Sequence, residues 1–136
     1  MCLTQCPTTP MLYASNLTKS CVSACPQPPS VVYNTYADAT TQQCVVGCPN
    51  GFYAQGSPDY ICVSQCSSPT VVLYYFVGNQ SCISACPNGY FADQSKQICT
   101  QTCPSSPAFY GYTVNNTCLA NCPASYFADS STMLCV

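Results

Sequence analysis

The chain has 136 residues, 15 of them cysteine, and its charged side chains are two Lys and four Asp, a formal net charge of −2. With two Lys and no Arg it cannot neutralise a row of phosphates, so composition excludes nucleic-acid binding and attachment to an anionic membrane surface. Cytosolic reductants keep thiols free, and this cysteine density therefore predicts an extracellular protein.

The cysteines recur as a Cys-x-x-x-Cys unit, followed by Pro in every case but one, where Ser67 stands instead. Successive units begin 17 to 23 residues apart, and a repeat of this length predicts a tandem array. We predict a single array over residues 1–136. Its loops run over residues 2–21, 21–44, 44–62, 62–82, 82–99, 99–118 and 118–135.

Each loop has the same internal order: a turn after Cys-Pro, an apolar-aromatic cluster, a short polar stretch and the next cysteine. Turn residues alternate with runs rich in Tyr, Phe and Val, which predicts short β-strands, and no helical period is present. From the third loop on, long and short loops alternate. The clusters are Leu12-Tyr13, Val32-Tyr33, Phe52-Tyr53, Tyr74-Tyr75-Phe76, Tyr90-Phe91, Phe109-Tyr110 and Tyr126-Phe127.

The longest apolar run covers residues 71–77. It is far shorter than the roughly 20 residues that a membrane-spanning helix needs, so we predict a strand there. We therefore expect no direct membrane insertion by this segment.

Disulfide pairing inside a Cys-x-x-x-Cys unit requires the two Cα atoms within about 7 Å, whereas an extended stretch of that length separates them by roughly 13 Å. Pairing each cysteine before Pro with the next first-position cysteine instead closes loops of 12 to 18 residues, enough for a β-hairpin. An interlocked one-three, two-four pattern is the alternative. The favoured pairs are Cys6–Cys21, Cys25–Cys44, Cys48–Cys62, Cys66–Cys82, Cys86–Cys99, Cys103–Cys118 and Cys122–Cys135.

An isolated hairpin is marginal in water, but a disulfide closing about 15 residues contributes on the order of 3 kcal/mol. The predicted fold class is therefore a small disulfide-rich array of β-hairpin repeats, an elongated rod or solenoid of seven stapled loops with little conventional core. One aromatic of each cluster is expected in that core, packed on its neighbour's cluster. The other is expected to be exposed in a row that marks an interface.

Cys2 is left over by this pairing. We expect its partner in an upstream repeat or in a neighbouring subunit, which would make the chain a stretch of a longer array. No signal peptide precedes Cys2, so either the signal has been removed or the sequence is a segment of a longer protein.

The order Cys-Pro, Asn-Gly, aromatic, Ala-Asp and Cys, seen from Cys86 to Cys99, resembles the furin-like cysteine-rich repeats of growth-factor-receptor ectodomains. It is also similar to the tandem cysteine-rich arrays of protist surface proteins, including ciliate surface antigens. The resemblance covers nearly the whole chain as seven imperfect repeats. It implies modules that close from the cysteine before Pro to the next cysteine, and an extracellular β-rich rod. It implies no particular activity, because such modules serve as spacers, binding surfaces and coats.

Other chemistry for these residues is less favoured. Three-residue spacing permits zinc knuckles, but His is absent and the compartment is oxidising, so we expect neither a metal nor another cofactor. Without His there is no Ser-His or Cys-His pair, and we expect no enzymatic activity. Asp38, Asp93 and Asp129 follow Ala at equivalent repeat positions, which predicts turns or caps in which Asp bonds its own backbone.

Glycosylation sequons occur at Asn16, Asn79 and Asn115, each a few residues before a loop-closing cysteine. Glycans would hydrate a chain that has few charges and a mean hydropathy of +0.12. We expect a glycosylated, disulfide-stapled rod that forms part of a cell-surface coat or fibre, with copies of itself or adjacent repeats of a longer chain as partners. The alternative is a stalk or ligand-binding ectodomain of a receptor or adhesin. A secreted inhibitor or toxin is less favoured, since those are usually one compact module.

Overall fold

The computed structural model describes residues 4–136, and every regular element in that part of the chain is a β-strand. The strands pair as seven antiparallel hairpins, which confirms the prediction of an all-β array of small disulfide-linked hairpin repeats. The chain divides into two compact units, one that ends at Cys66 and one that begins at Ser67.

The first unit holds three hairpins. Antiparallel pairs are β1 with β2, β3 with β4, and β5 with β6. Consecutive hairpins join through parallel pairs, β1 with β4 and β3 with β6, so the strand order is β2-β1-β4-β3-β6-β5. The strands are β1 (Tyr13–Ser15), β2 (Ser20–Val22), β3 (Tyr36–Asp38), β4 (Gln43–Val45), β5 (Tyr53–Gln55) and β6 (Ile61–Val63).

The second unit repeats this arrangement with four hairpins. Parallel pairs join β7 to β10, β9 to β12, and β11 to β14, which gives the order β8-β7-β10-β9-β12-β11-β14-β13. The strands are β7 (Tyr74–Phe76), β8 (Ser81–Ile83), β9 (Phe91–Asp93), β10 (Ile98–Thr100), β11 (Tyr110–Tyr112), β12 (Thr117–Leu119), β13 (Ala128–Asp129) and β14 (Leu134–Cys135).

All seven hairpins share one register. The middle residue of the first strand lies opposite the first-position cysteine, as Ala92 lies opposite Cys99. The residue before it is aromatic in every hairpin, and we call this the aromatic position. Its occupants are Tyr13, Tyr36, Tyr53, Tyr74, Phe91, Tyr110 and Phe127.

A disulfide closes each hairpin at the base. The cysteine that ends one Cys-x-x-x-Cys unit is bonded to the cysteine that begins the next, with Cα atoms 5.5 to 5.6 Å apart. Cys66 and Cys82 are likewise disulfide-bonded. Cys2, for which we predicted a partner elsewhere, lies outside the described residues. The bonds are Cys6–Cys21, Cys25–Cys44, Cys48–Cys62, Cys86–Cys99, Cys103–Cys118 and Cys122–Cys135.

Each hairpin contains a left-handed residue two positions before its first-position cysteine, with φ between 47° and 56° and never Gly. Within each unit, the carbonyl of this residue accepts a hydrogen bond from the middle amide of the preceding hairpin, as it does at Gln42, Tyr60, Gln97, Asn116 and Met133. The amide of Ala92 donates to Asn116 at 2.7 Å, and the amide of Gly111 donates to Met133 at 2.8 Å. The left-handed residues are Lys19, Gln42, Tyr60, Gln80, Gln97, Asn116 and Met133.

Packing within the second unit places an aromatic ring on the disulfide of the following hairpin. Tyr74 clusters with Cys86 and Cys99, and Phe91 clusters with Cys103 and Cys118. Both rings are buried. At these two steps the core is thus built from one ring and one disulfide, where the sequence had predicted aromatic clusters packed on one another.

Direct ring-on-ring contact does occur between long and short hairpins. Phe76 meets Tyr90, and Tyr112 meets Tyr126, each edge to face with centroids 5.0 Å apart. Such pairs contribute about 0.5–1.5 kcal/mol beyond the area they bury. The first ring of each pair belongs to a long loop and the second to the short loop that follows, so these contacts give the alternation of loop lengths a structural counterpart.

Two sequence assignments differ from the structure in detail. In the second hairpin Tyr36 occupies the aromatic position, while Val32 and Tyr33 are exposed. The reason is register: Cys44 must face Ala37, and the extra residues of this longer loop are displaced from the sheet. Within the run at residues 71–77, only Tyr74–Phe76 forms a strand.

Candidate functional site

Aspartate side chains cap the hairpin turns, as predicted for all three. Asp38 accepts hydrogen bonds from the amide and hydroxyl of Thr40 at 3.0 and 2.7 Å, and from the hydroxyl of Thr41 at 2.7 Å. The other two carboxylates repeat the geometry with the serine two residues later, as Asp129 does with Ser131 at 2.9 and 2.7 Å. The carboxylate oxygens accept hydrogen bonds from residues of the turns, so we assign the three Asp side chains a structural role.

These contacts set the charge state of the carboxylates. Burial tends to raise the pKa of Asp38, but the hydrogen bonds from Thr41 and Thr40 outweigh it, so the pKa lies below its ordinary value. Hydrogen bonds from Ser131, and then from Thr132, lower the pKa of Asp129 to about 2. Both groups are therefore anionic at neutral pH.

The three sequon asparagines lie at exposed positions near the tips of the hairpin turns. Asn115 accepts a hydrogen bond from the hydroxyl of Thr117 at 2.5 Å, and Asn79 accepts one from the hydroxyl of Ser81. In the first hairpin, Asn16 is exposed beside Leu17, and the Thr18 hydroxyl bonds Ser20 instead. An N-glycan acceptor must be on a surface loop, and all three positions meet that requirement.

The first unit carries an apolar depression of about 510 Å³ that the sequence did not predict. Leu17, Val32, Tyr33 and Val46 line it, and all four are well exposed. Adjacent polar groups include Ser15, Asn16 and Thr35. Its wall comes from the long second loop. The apolar residues in that loop were the only feature of the sequence that could have indicated the depression. An exposed apolar group of this kind is typical of an interaction surface.

A second depression of about 510 Å³ lies in the second unit, beside the Phe76–Tyr90 pair. Its far wall is the segment 100–102, and the side-chain Nε2 of Gln101 donates to the Tyr90 hydroxyl at 3.3 Å. Gly78 forms part of its floor, and a Cβ there would come within 2.8 Å of the Phe76 ring. The ring therefore depends on the absence of a side chain at Gly78.

Residues 4–136 contain neither a metal-binding cluster nor a membrane-spanning helix. That part of the chain has no cluster of three or more His, Cys, Asp or Glu side chains arranged to hold a metal ion. It also has no helix with the length and apolar character needed to cross a membrane.

The comparisons with known proteins add no identity: no protein-family model, curated protein or solved structure matches this chain. What the chain itself shows is an array of β-hairpins held by disulfides, and this cross-linking fits a secreted or extracellular protein.

Proposed function

We propose that the protein is a structural component of an extracellular coat or fibre, a glycosylated rod of disulfide-stapled hairpins related to furin-like repeats, rather than an enzyme. The observation that carries the proposal is the contact between consecutive hairpins. Within the two units, the middle amide of each hairpin is bonded to the left-handed carbonyl of the hairpin that follows it. At two steps of the second unit an aromatic ring also packs on the next disulfide. A hydrogen bond that recurs between successive repeats is typical of an extended array.

The sequons support an extracellular location for the same rod. Asn16, Asn79 and Asn115 are exposed at turn tips, where an attached glycan would not disturb the strands. The chain has six charged side chains for its whole surface, so glycans would supply the hydration that charge does not.

The test is to label intact and permeabilised cells that produce the protein with an antibody against a turn-tip peptide, and to image the label by immunogold electron microscopy. Label on the surface of intact cells, in a continuous layer or along filaments, is the expected result. Label found only inside permeabilised cells contradicts the proposal. Small-angle scattering of the purified chain tests whether it is elongated. A scattering curve typical of a compact sphere would contradict the rod.

A binding role is the second candidate, and the apolar depression of the first unit favours it. Leu17, Val32 and Tyr33 are 61%, 83% and 66% exposed, a large apolar surface for so small a unit. On this proposal the protein is a stalk or ectodomain that holds an apolar ligand or partner segment there. A dye that fluoresces in apolar surroundings should bind the purified chain, and Tyr33→Ser should abolish the signal. No dye binding, or binding unchanged in Tyr33→Ser, contradicts the second candidate.

A further inference from the structure

The apolar depression of the first unit has a glycosylation acceptor in its own lining. Asn16, the acceptor of the sequon at residues 16–18, lies beside the apolar side chains there. The long second loop contributes Val32 and Tyr33, which are 83% and 66% exposed. A glycan on the side-chain nitrogen of Asn16 would therefore begin within the depression. We give the name apolar lining to Leu17, Val32, Tyr33 and Val46.

Asn16 differs from the two later acceptors in what surrounds it. In both later sequons the hydroxyl two residues on donates to the acceptor side chain, as Thr117 does to Asn115 at 2.5 Å. In the first sequon the Thr18 hydroxyl is paired with Ser20 instead, at 2.7 Å. Neither of the two depressions is lined by the later acceptors. Asn16 thus combines a sequon with an adjoining apolar surface.

The polar side chains of the depression are engaged within the protein. The Thr35 hydroxyl donates to a backbone carbonyl at 2.6 Å, and the Ser30 hydroxyl does the same at 2.5 Å. The Ser15 oxygen accepts a backbone amide at 3.3 Å. What the depression offers an occupant is therefore mainly its apolar lining, and the occupant should present C–H groups to the protein.

A sugar ring suits this surface because its faces and its rim differ. The face of an N-acetylhexosamine ring presents C–H groups, which pack on apolar side chains and on the face of an aromatic ring, while the hydroxyls at the rim stay hydrated. The apolar lining is between 61% and 83% exposed, so a wholly apolar ligand would keep much of its own surface in water. The volume of about 510 Å³ suits a drug-sized ligand, which is the size of the first two sugars of an N-glycan.

We propose that the N-glycan of Asn16 folds back on the protein, with its first sugars in the depression and a C–H face against the Tyr33 ring. A transferase forms the bond from Nδ2 of Asn16 to C1 of the first sugar. The bond from that carbon to a lipid diphosphate breaks, the lipid diphosphate leaves, and the amide loses one proton. The covalent link makes a weak contact sufficient, because a tethered group is held at a high effective concentration.

This inference rests on the proposed function, in which the rod is glycosylated, and it gives the Asn16 glycan a role beyond hydration. The glycan joins the first hairpin to the long second loop and shields the exposed apolar lining. In the glycosylated chain the depression is then closed to the apolar ligand of the second candidate function.

The first experiment compares dye binding by chains that differ in one glycan. The chain is secreted from cells that attach N-glycans, and glycopeptide mass spectrometry establishes the occupancy of Asn16. Thr18→Ala removes the hydroxyl that the sequon requires and leaves the apolar lining in place. We expect the fluorescence of a dye that responds to apolar surroundings to rise roughly tenfold in Thr18→Ala, because the tethered competitor is gone. Adding Tyr33→Ser to Thr18→Ala should abolish the rise. The matched control is Thr117→Ala, which loses the Asn115 glycan and should bind no more dye than the wild type.

Three outcomes of this experiment overturn the inference. They are a wild-type chain without glycan on Asn16, equal dye binding by wild type and Thr18→Ala, and exclusion of the dye from both because they dimerise in sedimentation velocity. The last outcome assigns the depression to a second copy. Surface immunogold labelling tests the proposed function independently. A surface protein with a bare Asn16 refutes this inference alone, whereas label confined to the cell interior refutes the function.

The second experiment observes the contact by nuclear magnetic resonance of the glycoprotein with ¹³C-labelled sugars. An aromatic ring shifts the signals of protons over its face upfield, so protons of the first sugar on Asn16 should lie upfield of those on Asn115. Tyr33→Phe keeps the ring and should keep the shift, whereas Tyr33→Leu keeps an apolar side chain and should lose it. Equal shifts of the two sugars in the wild type, or an upfield shift that persists in Tyr33→Leu, contradict the contact.

Discussion

The contact between Phe91 and Gly111 is the sharpest place to test how consecutive hairpins hold together. Phe91 is buried against Cys103 and Cys118, and its ring lies over the backbone of Gly111. Phe91→Ala removes the ring from a closed site, and changes of this kind cost about 3–5 kcal/mol. We expect about 3 kcal/mol here, because part of the site can fill with water or relax.

The reverse change overfills the same space. A Cβ on Gly111 would lie 2.7 and 2.8 Å from two atoms of the Phe91 ring and 3.0 Å from Cδ2 of Leu134. The ring is fixed on the disulfide and cannot swing away, so Gly111→Ala should cost about 1–3 kcal/mol, as overpacking does. In a chain that already carries Phe91→Ala the obstruction is gone. The second substitution should then be nearly neutral, which makes the two changes coupled by about 2 kcal/mol.

Native-state hydrogen exchange of the oxidised protein measures these free energies at the amide of residue 111, which bonds Met133. The matched control is Phe127→Ala at the same repeat position, where the ring is 76% exposed, and it should change local stability by less than about 0.5 kcal/mol. It is measured at a concentration at which every variant is monomeric. Equal effects of Phe91→Ala and Phe127→Ala, or additive effects of the paired changes, would refute the account of ring-on-disulfide packing.

Three further predictions concern the disulfides, the capped turns and the glycosylation sequons. Peptide mapping without reduction should recover Cys86 linked to Cys99 and Cys122 linked to Cys135; a link from Cys86 to any other cysteine contradicts the pairing. The pKa of Asp129, about 2 when folded, lies below the roughly 3.9 of a free Asp, so its charged form stabilises the turn above pH 4, and this contribution is lost as the pH falls from about 4 to about 2. Carboxyl chemical shifts measured against pH should show that midpoint, and Thr132→Ala should move it upward; an unchanged midpoint in that variant contradicts the hydrogen-bond assignment. Intact mass of the secreted protein should show glycan on Asn79 and Asn115, reduced by one chain in Thr117→Ala, whereas a bare polypeptide mass removes this support for a coat.

The hairpins were predictable because the signals for them are local. Cysteines at a regular spacing define the ends of each loop, and turn residues such as Asn88 and Gly89 form the turn that precedes the first strand of a hairpin. Ala-Asp before a Ser or Thr specifies a capped turn from side-chain chemistry alone, and Asp93 behaves as that chemistry requires. None of these inferences needed contacts between different loops.

The left-handed residues were not predictable, because their cause is not local. A positive φ is expected at Gly or Asn, yet Lys19, Gln42 and Met133 adopt it here. At Gln42 and Met133 the conformation directs the carbonyl toward the preceding hairpin, and the hydrogen bond received there offsets the strain. For the same reason the sequence did not predict which residue of the second loop, Tyr33 or Tyr36, occupies the aromatic position. The register with Cys44 decided between them, and that register is a property of the paired strands.

The contact between hairpins uses few side chains, and this explains why the loops can differ so much. Its elements are a backbone amide, a backbone carbonyl, a disulfide and one ring, and none of them lies in the segment between the cysteine before Pro and the first strand. A long loop such as residues 25–44 can therefore displace its extra residues into an apolar surface without disturbing its neighbours.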